Sequence, residues 1–186
     1  YNKPPQRGLV AHYKAVAESV KVPILLYNVP GRTAVSLGAE STIELSRVPN
    51  IVGVKDATAD LDLGKRIIQG AGPEFTVTSG DDFTFLDLAL LGGSGVISVL
   101  SNIAPRQTRT LLDRARNKDA KSVDELQALR RLTELLFVEA NPIPVKCALN
   151  LMGIFDSDEM RLPLAPFESK NKELMKQELA NVGILS

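Results

Sequence analysis

Between residues 6 and 102, short apolar runs alternate with stretches of 3.6-residue period, a pattern that few architectures accept. Leu9, Tyr13, Val16 and Val20 share one face of a helix running from about residue 6 to 20. The run Val22-Pro23-Ile24-Leu25-Leu26-Tyr27, bounded by Pro23 and Pro30, has the length and flanks of a buried strand. A helix is predicted at about 39–47 and a strand at 51–55. Asp60 is placed to cap a helix over 61–69. A strand at 75–79, a helix opened by Asp81 or Asp82 and running through Leu91, and a strand at 95–100 complete the series. Each strand is apolar on both faces, as parallel strands covered by helices are. After Asn102 the strands stop, and helical patterns follow at about 105–117, 119–139, 143–151 and 168–181.

Two architectures fit four such βα units: an open doubly wound sheet, or part of a (β/α)₈ barrel. Periodicity leaves both open. A full barrel takes ~250 residues, so 186 residues are too few for one plus a helical tail. No G-x-G-x-x-G follows any strand. Gly92-Gly93-Ser94-Gly95 precedes a strand instead of opening a helix, and it reads as a turn, not a phosphate cradle. Composition narrows the function classes. Lys+Arg and Asp+Glu both number 22, so the basic excess expected of a nucleic-acid binder is missing. A hydrophobic share of 44% excludes a disordered chain. The single cysteine, Cys147, excludes a disulfide framework or a zinc ribbon. No apolar run approaches the ~18 residues of a membrane span. The opening Tyr1-Asn2-Lys3-Pro4-Pro5 has neither the basic nor the apolar region of a signal peptide, and a cytoplasmic location is expected.

Polar groups collect at the carboxyl ends of the four strands: Tyr27, Lys55, Ser79 with Gly80, and Ser101 with Asn102. In an α/β barrel, catalytic groups converge at that end. Simple alternation puts Ile51, Gly53 and Lys55 on one face, with Gly53 leaving room beside the lysine stem. A lysine ending a buried strand is a candidate nucleophile, since desolvation lowers an amine's pKa. The alternatives are that Lys55 reaches solvent or pairs with Asp56. Tyr27 could relay protons for a lysine-bound intermediate, or be a core tyrosine. Arg32, after Pro30-Gly31, could grip a carboxylate with two hydrogen bonds, or be a solvated loop residue. The lone His12 sits mid-helix and supplies neither a catalytic triad nor a metal site. Asp81-Asp82 reads as helix capping, Cys147 as a core residue, and Asn141-Pro142-Ile143-Pro144 as a helix start.

Four segments resemble the dihydrodipicolinate synthase family: Tyr27-Asn28-Val29-Pro30-Gly31-Arg32-Thr33, Gly53-Val54-Lys55-Asp56-Ala57-Thr58, Ser79-Gly80-Asp81-Asp82, and Gly92-Gly93-Ser94-Gly95-Val96-Ile97-Ser98. Tyr1-Asn2-Lys3-Pro4 and Asn141-Pro142-Ile143-Pro144-Val145-Lys146 are similar to it as well. The segments fall in the right order over essentially the whole chain.

The resemblance implies a (β/α)₈ barrel with a C-terminal helical extension, assembled as a homotetramer of tight dimers. It implies condensation of pyruvate with L-aspartate-4-semialdehyde on the way to diaminopimelate and lysine, with no metal or organic cofactor. Lys55 would form the Schiff base and Tyr27 would relay protons. Arg32 would hold the carboxylate of the semialdehyde, and Ile97 and Gly80 would line the pyruvate pocket with main-chain groups. Tyr1 would be a relay tyrosine reaching the neighbouring subunit's site. Compared with the family, four strands and a Thr-Thr pair have no counterpart here. The expectation is therefore a C-terminal half barrel over residues 1–104 and a helical region over 105–186, inactive without an N-terminal half. The rival readings are a sister lyase acting on N-acetylneuraminate or keto-deoxy sugar acids, and a non-catalytic half barrel.

Overall fold

A computed structural model describes residues 2–185 of the protein. The chain divides into two compact units, residues 1–97 with 115–119, and residues 98–114 with 120–186.

The first unit is built on four strands, β1 (Ile24–Asn28), β2 (Ile51–Asp56), β3 (Thr76–Ser79) and β4 (Gly95–Val96), all parallel and ordered β1-β2-β3-β4. A doubly wound sheet reverses its strand order at a switch point; this one does not. Its helices are α1 (Gln6–Ser19), α2 (Pro30–Thr33), α3 (Ala39–Leu45), α4 (Leu61–Ala71) and α5 (Phe85–Leu90). One sheet face is buried: Leu26, Val54 and Val77 join Val10 and Ala17 of α1, Leu45 of α3, Ile67 of α4 and Leu88 of α5 in a single core. Burying each such large side chain stabilises by about 1.5–3 kcal/mol. Leu25, Tyr27, Val52 and Ile97 remain exposed.

The alternation expected along β2 is broken. Ile24 pairs with Ile51 but Leu25 pairs with Gly53, so the register slips by one residue there. Ile51 consequently lies in the helix-covered core with Val54, not on the face of Lys55, and Val52 is exposed. Gly53 does not make room for the lysine either. A Cβ there would lie 2.4 Å from the Thr76 carbonyl oxygen and 2.8 Å from Leu25 Cδ1.

Asp60 caps α4 as expected, its carboxylate accepting from the Leu63 amide at 3.0 Å. At α5 the capping position is Thr84, not either aspartate. Asp81 shapes the preceding turn, accepting at Oδ2 from the Phe83 and Thr84 amides and the Thr84 hydroxyl. The strand expected over 95–100 is confined to Gly95–Val96. Ile97 adds one more bond to Ser79. The Ser98 hydroxyl then accepts from the Ser101 amide at 2.8 Å and bends the chain into a 3₁₀ turn at Leu100–Asn102.

The second unit is helical: most of α6 (Pro105–Arg116), then α7 (Lys121–Leu126), α8 (Arg130–Leu135), α9 (Ile143–Leu151) and α10 (Ser169–Asn181). The single helix expected over 119–139 is interrupted by a 3₁₀ turn at Gln127–Leu129. Leu126, Leu129 and Leu132 are all buried at a three-residue spacing, and the three-residue period keeps them on one side. Cys147 is fully buried in α9, and burial pushes its thiol up to about 11. No helix among the described residues is long and apolar enough to cross a membrane.

Candidate active site

The β1–β2 register sets Tyr27 directly beside Lys55. Lys55 Nζ lies 4.3 Å from the centroid of the Tyr27 ring, over its face. That arrangement attracts an ammonium electrostatically and keeps a hydroxyl-bearing ring against the amine. On the other side of Lys55, β3 presents Thr78, whose hydroxyl donates to the Val54 carbonyl at 3.2 Å. Lys55 is half-buried. Its neighbour Asp56 departs from the opposite face. It is buried, and accepts from the Thr58 amide and hydroxyl at 3.3 and 3.1 Å. Burial pushes the Asp56 carboxyl above its usual range, against those hydrogen bonds and with the nearby charges of Asp60 and Asp81. Asp56 is thus part of the β2–α4 junction and turns away from the lysine.

Gly80 follows β3 and stands against the lysine stem. A Cβ there would fall 2.7 Å from Lys55 Cε and 2.8 Å from Ala57 Cβ. Its amide donates to the Asp56 carbonyl at 2.7 Å, and the Ile97 amide donates to Ser79 at 2.8 Å. With both amides used by the sheet, what Gly80 and Ile97 can offer a ligand is a carbonyl oxygen.

Arg32 occupies α2, a single turn that begins at Pro30 directly after β1 and ends at Ala34 in the left-handed region, φ 57°. It is exposed and lines an open depression of about 830 Å³ with Asn2, Leu9, His12 and Tyr13, among others. Lys55 and Tyr27 are not part of that lining. Lys55, Tyr27 and Gly80 therefore form one cluster, Ile97 is joined to it through Ser79, and Arg32 stands on the adjoining loop. Tyr1 lies outside the described residues.

Thr78 and Asn28 also shape this region without standing out in the sequence, and Asp56, the alternative partner for Lys55, bonds Thr58 instead. Asn28 is 3% exposed although polar. Its position one residue after Tyr27, on the opposite strand face, was the available signal. Chemically, the cluster offers an amine with an aromatic hydroxyl residue at its side and an uncrowded stem, the equipment for imine formation with a carbonyl compound. Arg32 adds a fixed positive charge suited to a carboxylate.

The profile of the dihydrodipicolinate synthetase family matches residues 1–182. The chain belongs to this family. It is 49% identical to the 4-hydroxy-tetrahydrodipicolinate synthase of Bdellovibrio bacteriovorus over 100% of its own length and 64% of that protein's. The crystal structure of the chloride-inhibited dihydrodipicolinate synthase of Acinetobacter baumannii, complexed with pyruvate, superposes with a TM-score of 0.94 at 46% identity, over 100% of this chain and 64% of that one. A monomeric dihydrodipicolinate synthase variant superposes equally well, TM-score 0.94 at 43% identity, over 100% of this chain and 63% of that one. This chain thus spans a little under two thirds of the length of these members of the dihydrodipicolinate synthetase family.

Proposed function

We propose that this chain carries the Schiff-base lysine of a 4-hydroxy-tetrahydrodipicolinate synthase, which condenses pyruvate with L-aspartate-4-semialdehyde. The observation that carries the reading is the Lys55 amine over the Tyr27 ring, with Gly80 clearing its stem. The Lys55 lone pair attacks the pyruvate ketone carbon, and loss of water leaves a protonated imine. That imine accepts the electron pair released when a methyl proton departs, giving an enamine. The enamine carbon bonds to the aldehyde carbon, and the aldehyde oxygen takes up a proton. The amine of the semialdehyde then attacks the imine carbon, and the bond to Lys55 breaks as the ring closes. Tyr27 moves protons at the imine, and Tyr1 extends that relay. Arg32 holds the carboxylate of the semialdehyde, and the Gly80 and Ile97 carbonyls line the pyruvate side.

In this reading residues 1–104 belong to the second half of a (β/α)₈ barrel and residues 105–186 form its last helix and C-terminal extension. The complete enzyme is cytoplasmic, with the homotetramer as its working assembly. The sequential parallel order of the four strands supports the barrel. Borohydride reduction of the full-length protein with pyruvate tests the centre of the proposal. The expected result is a pyruvate-derived mass on the peptide containing Lys55, lost in Lys55→Ala. An adduct on Lys65 or Lys146 instead would overturn it. Assaying the semialdehyde against N-acetylneuraminate and keto-deoxy sugar acids separates the synthase from a sister lyase.

A further inference from the structure

We propose that Asn28 and Gln6 are positioning residues for Arg32, and so set how the enzyme grips the carboxylate of its second substrate. The inference rests on the assignment of Arg32 above. Two side-chain amides zip the return segment of the Arg32 loop at three consecutive residues. Asn28 Nδ2 donates to the Leu37 carbonyl at 3.0 Å, and Asn28 Oδ1 accepts from the Leu37 amide at 2.9 Å. Gln6 Nε2 donates to the Ser36 carbonyl at 2.8 Å, and Gln6 Oε1 accepts from the Gly38 amide at 2.8 Å. Each side chain thus behaves as a short piece of neighbouring strand.

The consequences follow from where the two amides start. Asn28 is the last residue of β1, so its side chain fastens the end of the 29–37 loop back to its beginning. Its main-chain carbonyl accepts from the Ala57 amide at 2.9 Å, two residues beyond Lys55, which references the same loop to the lysine strand. Gln6 does the equivalent from the first turn of α1. A Cβ on Gly38 would lie 3.3 Å from Gln6 Oε1, so the small residue admits the approach. Between these anchors α2 is only one turn long, Thr33 bonds the Val29 and Val35 carbonyls, and Ala34 is left-handed. A single turn has little stability of its own. The orientation of the turn that carries Arg32 therefore depends on what holds the loop ends.

The test is steady-state kinetics and pyruvate adduct formation in the full-length enzyme for Gln6→Ala, Asn28→Asp, Arg32→Ala and the Gln6→Ala/Arg32→Ala double variant. Gln6 is exposed, so its replacement leaves the core intact even where the buried Asn28 variant folds poorly. Gln6→Ala and Asn28→Asp are expected to raise KM for the semialdehyde roughly tenfold while kcat and the pyruvate adduct rate change little. In the Arg32→Ala background Gln6→Ala should add nothing, because residues acting through one group are not additive. Wild-type KM in Gln6→Ala beside a raised KM in Arg32→Ala overturns the positioning role alone. Full additivity in the double variant does the same. An Arg32→Ala enzyme with unchanged semialdehyde KM overturns the Arg32 assignment and this inference with it.

Discussion

At Gly80 the missing side chain leaves the space through which the Lys55 stem passes. Gly80→Ala would set a methyl group 2.7 Å from Lys55 Cε and displace the amine from Tyr27. A displacement of about 1 Å at a reacting group costs on the order of 10²-fold in rate. The expected outcome is a fall of that size in the rate of pyruvate adduct formation, together with a lower denaturation midpoint, because the same methyl group would meet Ala57 Cβ at 2.8 Å. Gly31→Ala, where a Cβ meets nothing within 4 Å, is the matched control. An adduct rate equal to wild type in Gly80→Ala would show that Lys55 can take another path to the substrate. The space beside the lysine stem, expected from the sequence at Gly53, is found at Gly80. Which backbone a given glycine abuts depends on the neighbouring strand, and the slip between Ile24 and Leu25 is a property of the pair.

The β2–α4 junction concentrates carboxylates: Asp56 is buried there, with Asp60 and Asp81 near enough to disfavour its charge. Its folded-state pKa is raised above the ordinary 3.8, chiefly by burial. Between 3.8 and the raised value the folded protein binds the extra proton, so this group's contribution to stability falls as pH rises through that window. Asp56→Asn removes the ionisation and leaves an oxygen to accept from Thr58. Denaturation midpoints of wild type and variant, compared from about pH 4 to about pH 7, should diverge in favour of the variant as pH rises. A variant less stable than wild type at neutral pH would mean that the carboxylate's bonds to Thr58 outweigh its burial. Element by element, the four alternations of strand and helix were legible because each strand is an apolar run and each long helix has a periodic face. What was not legible is set by partners or by brevity. α2 is one turn and has no period to detect. β4 stops after two residues because Ser98 and Ser101 divert the backbone, although Ile97-Ser98-Val99-Leu100 is as apolar as any strand. The break in the 119–139 helix follows leucines spaced for a tighter winding. In the candidate site, Lys55 and Tyr27 stand out in the sequence because each is a polar residue ending an apolar run. Gln6 was hidden because its partner segment lies some thirty residues away along the chain.

In the whole molecule, one face of the sheet carries exposed Leu25, Tyr27, Val52 and Ile97 beside Lys55. The chain also spans 64% of the length of its Bdellovibrio relative. In the proposed barrel that face is interior, and it would be covered by the part of the relatives' length that this chain does not span. These 186 residues expressed alone should therefore show little pyruvate-dependent condensation, and fusing to them the span that the Bdellovibrio relative has in addition should restore it. Turnover by the isolated chain equal to that of a full-length relative would sink the half-site reading. The strand order has its own bearing on how the molecule comes to be folded. Each strand pairs only with its sequence neighbours, so Tyr27 finds Lys55, and Lys55 finds Thr78, by closing short stretches of chain. Loop-closure entropy grows only slowly with the length of chain closed, although parallel pairing itself is slow to form. With sequence neighbours as their only partners, β1, β2 and β3 can pair in the order in which they leave the ribosome, with no strand waiting on the C-terminal helices for its partner.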